Sequence, residues 1–266
     1  ATFNAESTNV SGNATSTTLT AGTYTVAIRG VFPRIFFNNT GDKDKIQTIE
    51  QWGTSAWTSM ERAFYGCSNL VLNATDTPDL SLATSMLGMF LGCSSFVDNG
   101  GAINNWEVST ITNMERVFQQ TSFDSPINNW KVSAVTSMRS IFSQSSFNQP
   151  LDNWNVENVS VFEGAFSFSI FNQDISDWDT SSATRFSNMF NKATRFDQNI
   201  GNWDISNVTT MNDMFTGTTL STTNYDATLI GWYTDSSGAA NDGIDDVPSN
   251  ITFNGGNSQY CSATFA

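Results

Sequence analysis

Phe147-Asn148-Gln149-Pro150-Leu151-Asp152-Asn153-Trp154-Asn155-Val156-Glu157-Asn158-Val159-Ser160-Val161-Phe162-Glu163-Gly164-Ala165-Phe166 is one pass of a pattern that organises most of the chain. Trp154 has counterparts at Trp106, Trp130, Trp178 and Trp203, with successive spacings of 24, 24, 24 and 25 residues. Eight residues after each comes Met114, Met138, Phe162, Phe186 or Met211. Four further on lies Phe118, Phe142, Phe166, Phe190 or Phe215, and five beyond that, or six in one unit, Phe123, Phe147, Phe171, Phe196 or Leu220. Two earlier units obey the same template: Trp52, Met60, Phe64 and Leu70, then Pro78, Met86, Phe90 and Phe96, with proline in the tryptophan slot. The slots of these seven units hold 14 of the 21 Phe. Self-similarity at this period marks a repeat architecture, in which each unit buries its apolar face on its neighbours.

The spacing suggests how one unit is folded. The frame Ile-x-x-Trp-x-Val, as in Ile127–Val132, Leu151–Val156 and Ile200–Ile205, matches the L-x-x-L-x-L frame of a leucine-rich repeat. Residues two apart, such as Trp130 and Val132, would share one face of a short strand. Apolar residues then recur every third position at Val132, Val135, Met138 and Ile141, which suits a tight turn or 3-10 path. Six residues after the tryptophan slot stand Thr58, Thr84, Thr112, Thr136, Ser160, Thr184 and Thr209, followed three later in three units by Glu61, Glu115 and Glu163. Ser/Thr-x-x-Glu is a capping box, so a short helix or 3-10 turn is expected there, on the convex side. A threonine ladder that orders water, as on an ice-binding face, is the alternative, but it leaves the glutamates unexplained. Stacked units would place like slots about 4.8 Å apart. Burial of each ring would contribute about 1.5–3 kcal/mol.

The expected fold is an α/β repeat: a leucine-rich-repeat-like right-handed solenoid of about seven coils, each with one short strand and one short helix or 3-10 turn. Residues 1–45 are read as an N-terminal arm and β cap, 46–221 as the solenoid and 222–266 as a C-terminal cap. The cap would cover the rings and unpaired edges that an open end exposes.

Composition narrows the function. The 266 residues contain 11 Lys plus Arg against 25 Asp plus Glu, a formal net charge of −14. Phosphate binding needs cationic side chains, so no nucleic-acid partner is expected. No run of 18 apolar residues exists, so no membrane insertion is expected. Histidine is absent, which removes Ser-His-Asp and Cys-His catalysis and histidine-ligated zinc. Charged residues make up only 14%, and Asn, Ser and Thr supply the polar surface instead. The chain opens at Ala1 without a basic n-region or apolar h-region. An extracellular or cell-surface location after signal-peptide removal is expected.

Ala63-Phe64-Tyr65-Gly66-Cys67-Ser68-Asn69-Leu70 and Met89-Phe90-Leu91-Gly92-Cys93-Ser94-Ser95-Phe96 resemble the A-F-x-x-C-x-x-L segment of BspA-like leucine-rich repeats. Phe147–Trp154, Phe171–Trp178 and Asn202–Phe215 resemble a divergent F-N-Q-x-[LI]-x-x-W-x-V-S-x-V-T-x-M-x-x-M-F branch of that family. Tyr225–Trp232 and Gly255–Cys261 are similar to the tail that often closes such arrays. The resemblance implies a secreted or cell-surface protein associated with adhesion and protein binding, and it carries no catalytic residues.

Candidate sites follow from the strand reading. Residues flanking Trp and Val would point away from the core: Asn105, Asn129, Asn153, Asp177 and Asn202 before Trp, and Glu107, Lys131, Asn155, Asp179 and Asp204 after it, joined by Ser133. Together they make a polar, mildly acidic face suited to binding, or a merely solvated sheet. The partner expected is a protein or glycan ligand on another cell or matrix. The alternative is a structural subunit whose ends associate head to tail into an extracellular filament. No enzyme activity and no cofactor are expected, with calcium the exception. Asp235, Asp242, Asp245 and Asp246 lie in a glycine-containing acidic loop whose oxygens suit Ca²⁺, or which is simply solvated. Cys67 and Cys93 share one slot in adjacent units, as buried thiol filler or as a disulfide.

Overall fold

A computed structural model describes residues 2–3, 22–28, 30–234 and 247–261. Regular elements are few. Strand β1 (Thr2–Phe3) pairs in parallel with β2 (Thr25–Val26), and β3 (Thr48–Ile49) with β4 (Val71–Leu72). Lys43–Lys45 and Ile103–Asn105 are single 3-10 turns, and α1 spans Thr222–Tyr233. The other described residues lie in turns and irregular segments, yet successive units are in register. Isolated parallel bridges join Ser85 to Asn113, Asn113 to Ser137, Ser137 to Val161, Val161 to Arg185, and Arg185 to Thr210. One residue of each repeat therefore pairs with its equivalent in the next, layer after layer.

The ladder continues from these bridges through the Met–Phe segment, not through Ile-x-x-Trp-x-Val. The N–H groups of Met138, Ser140, Phe142 and Gln144 donate to the carbonyls of Val161, Glu163, Ala165 and Ser167 at 2.9, 3.0, 2.9 and 2.8 Å. Amides between them close turns within the layer, from Ile141 to Met138 at 3.1 Å and from Ser145 to Phe142 at 3.3 Å. The third residue of each turn is left-handed, Ser140 at φ 54° and Gln144 at φ 56°. A four-residue turn with positive φ only at its third residue is type II. Two consecutive type II turns thus replace the helix that the capping box suggested. The same two slots are left-handed in every unit, from Arg62 and Gly66 to Asp213 and Gly217.

The threonine column explains why no helix starts there. The Thr136 N–H and hydroxyl both donate to the carbonyl of Thr112, at 2.9 and 3.2 Å. Ser160 does the same to Thr136, Thr184 to Ser160, and Thr209 to Thr184. These hydroxyls serve the layer before them and do not cap amides of their own segment. The glutamates also reach across layers: Glu115 accepts from the Ser137 hydroxyl at 2.8 Å, and Glu163 pairs with Arg139.

Rings of like slots meet through the core. Phe64, Phe90, Phe118, Phe142, Phe166, Phe190 and Phe215 form one continuous column with centroid separations of 5.6 to 5.9 Å. Trp106, Trp130 and Trp154 stack at 6.1 and 6.5 Å, and Trp178 on Trp203 at 6.2 Å. Between them the larger ring at Phe162, in place of methionine, lies 5.7 Å from Trp178. Pure translation by the strand spacing of about 4.8 Å would separate all equivalent rings by that amount. The stacked rings of like slots lie farther apart than that.

Both ends reuse the repeat's contacts. On the N-terminal side, the backbone around Phe37 donates to the first unit, with Phe37 N–H to Ala63 O at 3.0 Å and Asn39 N–H to Tyr65 O at 2.8 Å. The Phe37 ring then lies 6.3 Å from Phe64. At the other end the closing layer is divided. Helix α1, capped by the Ser221 hydroxyl accepting from Asn224 N–H, brings Trp232 into the tryptophan column, where its indole donates to Ile200 O at 3.0 Å. Gly201 and Gly231 meet backbone to backbone, a contact that a β-carbon on either would block. The returning segment supplies the other half: Asn254 O accepts from Phe215 N–H at 3.2 Å, and the Phe253 ring meets Phe215 edge-on at 6.0 Å.

Candidate binding surface

The residues singled out beside the tryptophans are exposed or partly exposed, and the structure gives several of them a local task. Glu107, Asn155, Asp179 and Asp204 each accept from the N–H two residues on, at Ser109, Glu157, Ser181 and Ser206, with distances of 2.9 to 3.1 Å. Asp79, the equivalent residue of the proline unit, accepts from Ser81 at 3.0 Å. These are side-chain turns of the kind Asn and Asp favour. The serine hydroxyl and N–H of Ser109 and Ser181 hold the Glu107 and Asp179 carboxyls below their ordinary range.

The remaining residues tie layers together or stand free of such bonds. The N–H groups of Asn129 and Asn153 donate to the side-chain oxygens of Asn104 and Asn128, both at 3.0 Å. Ser133 O accepts from Asn158 Nδ2 at 2.9 Å. Lys131 Nζ lies 3.9 Å from Glu107, with both side chains mostly exposed, a geometry of small energetic weight. Asn129, Lys131, Ser133, Asn153 and Asn155 together line a shallow groove of about 370 Å³ over Trp130. The structure therefore gathers five of the eleven expected residues into one depression. Asn105, Asp177 and Asn202 lie exposed in other layers.

A second groove, of about 620 Å³, runs along the turn face. Its walls are the left-handed turn residues and the serines beneath them, including Ser140, Gln144, Gly164, Phe168, Asn188 and Lys192. The strand-based reading missed this surface, because it assigned the segment to a convex helix. The signal available was Phe168, the one phenylalanine of the repeats outside the apolar slots.

Cys67 and Cys93 are buried thiols with no disulfide between them. Cys93 Sγ donates to Phe64 O at 3.0 Å. Burial pushes the Cys67 thiol up to about 12 and the Cys93 thiol also upward. Asp235, Asp242, Asp245 and Asp246 lie outside the described residues. Among the described residues no group of three or more Cys, Asp or Glu is placed to hold a metal ion, and no helix is long and apolar enough to cross a membrane.

The in-register repeats, with a groove on each of two faces, define a repeat protein. The chain belongs to the family described as "Mycoplasma protein of unknown function, DUF285", whose model matches residues 32–144, 58–169 and 144–247. No curated protein and no solved structure matches it.

Proposed function

We propose that the chain is a non-catalytic binding module of the BspA-like kind, built as a leucine-rich-repeat-like right-handed solenoid and displayed outside the cell. In-order parallel pairing of successive units supports the solenoid reading. The observation that carries the binding role is the groove over Trp130. Its lining side chains project from a backbone locked to the neighbouring layer by the Asn104 and Asn128 ladder, so the surface is preorganised and little entropy is lost on binding. The ligand favoured for this face is a protein, because Lys131 and the exposed amides offer polar contacts without an aromatic platform. Head-to-tail filament growth is less favoured, since Phe37 and Phe253 already cover the terminal rings of the phenylalanine column.

The test is binding of the purified chain to immobilised extracellular-matrix proteins, comparing wild type with the triple variant Asn129→Arg, Lys131→Glu, Ser133→Arg. Loss of binding at an unchanged unfolding midpoint supports the role. Retention of every interaction by the triple variant contradicts it.

A further inference from the structure

Phe168 stands where the repeat has no structural use for an aromatic ring. Its slot, the third residue of the second turn, holds Gly66, Gly92 and Gly217 in three units and Gln120, Gln144 and Lys192 in three others. Phe168 adopts φ 56° there, a conformation in which a bulky side chain is a true outlier. Burial does not compensate, because the residue is 51% exposed. Strain retained at an exposed position points to a role outside the fold. The ring stands at the 620 Å³ groove of the turn face, with Lys192 Nζ 4.9 Å from its centroid on one side.

The chemistry around the ring selects a ligand class. Gln144, Asn188, Asn191 and Thr216 line the groove, and amides and hydroxyls can both donate and accept. The charged groups are already engaged. Glu163 is paired with Arg139, Asp213 accepts from the Thr216 hydroxyl at 2.9 Å, and the Lys192 ammonium sits over the Phe168 ring. A phosphorylated or sulfated ligand would find one cation beside two carboxylates, and a cationic ligand would meet Lys192. A neutral molecule with many hydroxyls and one C–H-rich face satisfies both the amides and the ring. We propose that this groove is a binding site for neutral oligosaccharides, with Phe168 as the platform on which a pyranose ring lies. The site shares no residue with the Trp130 groove and does not depend on that reading.

The experiment uses the whole chain on an array of neutral hexose and N-acetylhexosamine oligosaccharides, with thermal unfolding measured alongside. Phe168→Gly installs the residue that the slot carries in three other units. It is expected to weaken binding at least tenfold while leaving the unfolding midpoint equal or higher. Phe168→Tyr is expected to keep binding, and the Trp130-groove triple variant to bind the same oligosaccharides as wild type. Undiminished binding by Phe168→Gly, or an array on which the folded wild type retains no oligosaccharide, overturns the proposal.

Discussion

The indole N–H of Trp154 donates to the carbonyl of Ile127, 3.0 Å away in the preceding layer. Trp130, Trp178, Trp203 and Trp232 make the same bond to Ile103, Leu151, Ile175 and Ile200. Trp106 does not. The unit before it has Pro78 in the tryptophan slot and a spacing of 28 residues, and the buried Trp106 Nε1 has no partner. Trp154→Phe therefore removes one of two bonds to the Ile127 carbonyl, which keeps the Trp130 N–H at 3.1 Å, whereas Trp106→Phe removes a donor that had nothing to bond. We expect Trp154→Phe to cost about 0.5–1.5 kcal/mol more than Trp106→Phe in denaturant unfolding, the ring truncation being common to both. Equal losses would mean that the indole bonds contribute nothing.

The left-handed turn slots make an opposite prediction. Arg116 is exposed and sits at φ 58°. Glycine adopts that conformation without a β-carbon clash, although it also loses more entropy on folding. Arg116→Gly should raise stability by up to about 1 kcal/mol, where glycine in a helix interior would lower it by about that amount. Destabilisation by Arg116→Gly would argue for a helix in this segment.

Acid should weaken the fold, and mild changes in pH should not. Serine hydrogen bonds lower the Asp79, Glu107 and Asp179 carboxyls in the folded chain. A carboxyl lowered on folding contributes stability above its unfolded value, and that contribution is lost as pH falls through the folded one. With no histidine present, no side chain of ordinary affinity titrates between about pH 5 and 8. The thermal midpoint should be flat across that window and fall below it, and Asp179→Asn should shallow the acid limb. A midpoint that climbs steadily from acid to neutral pH would contradict this.

Thiol counting tests the cysteine column. Cys67 and Cys93 are buried with raised thiols, and Cys261 is exposed. Because the thiolate is the reactive form, a maleimide should label one site per native chain and three after unfolding without reductant. One site in both states would instead indicate a Cys67–Cys93 disulfide.

The apolar slots were legible because each is filled by a large ring or thioether whose burial recurs with the period. The spacing alone puts Phe142 and Trp154 into columns. The path between the slots was not legible. Ser/Thr-x-x-Glu satisfies a helix start, but Thr136 spends its hydroxyl on Thr112, a bond between residues 24 positions apart that no local pattern reports. The polar face was legible as exposed residues. The turn-forming task of Asp179 could also have been read, since an acidic residue two before serine is a turn signal. Phe168 shows the converse, a residue conspicuous only once the other slots had been explained.

The central claim is that each phenylalanine of the main column packs on the next in sequence order, as Phe142 does on Phe166 at 5.6 Å. A double-mutant cycle on stability tests it most directly, using Phe142→Leu with Phe166→Leu and, as the distant pair, Phe118→Leu with Phe190→Leu. Stacked rings contribute about 0.5–1.5 kcal/mol beyond their burial, whereas separated sites add to within about 0.5 kcal/mol. The account predicts coupling for the adjacent pair and additivity for the distant one. Additivity at Phe142 and Phe166, or equal coupling at Phe118 and Phe190, would contradict it.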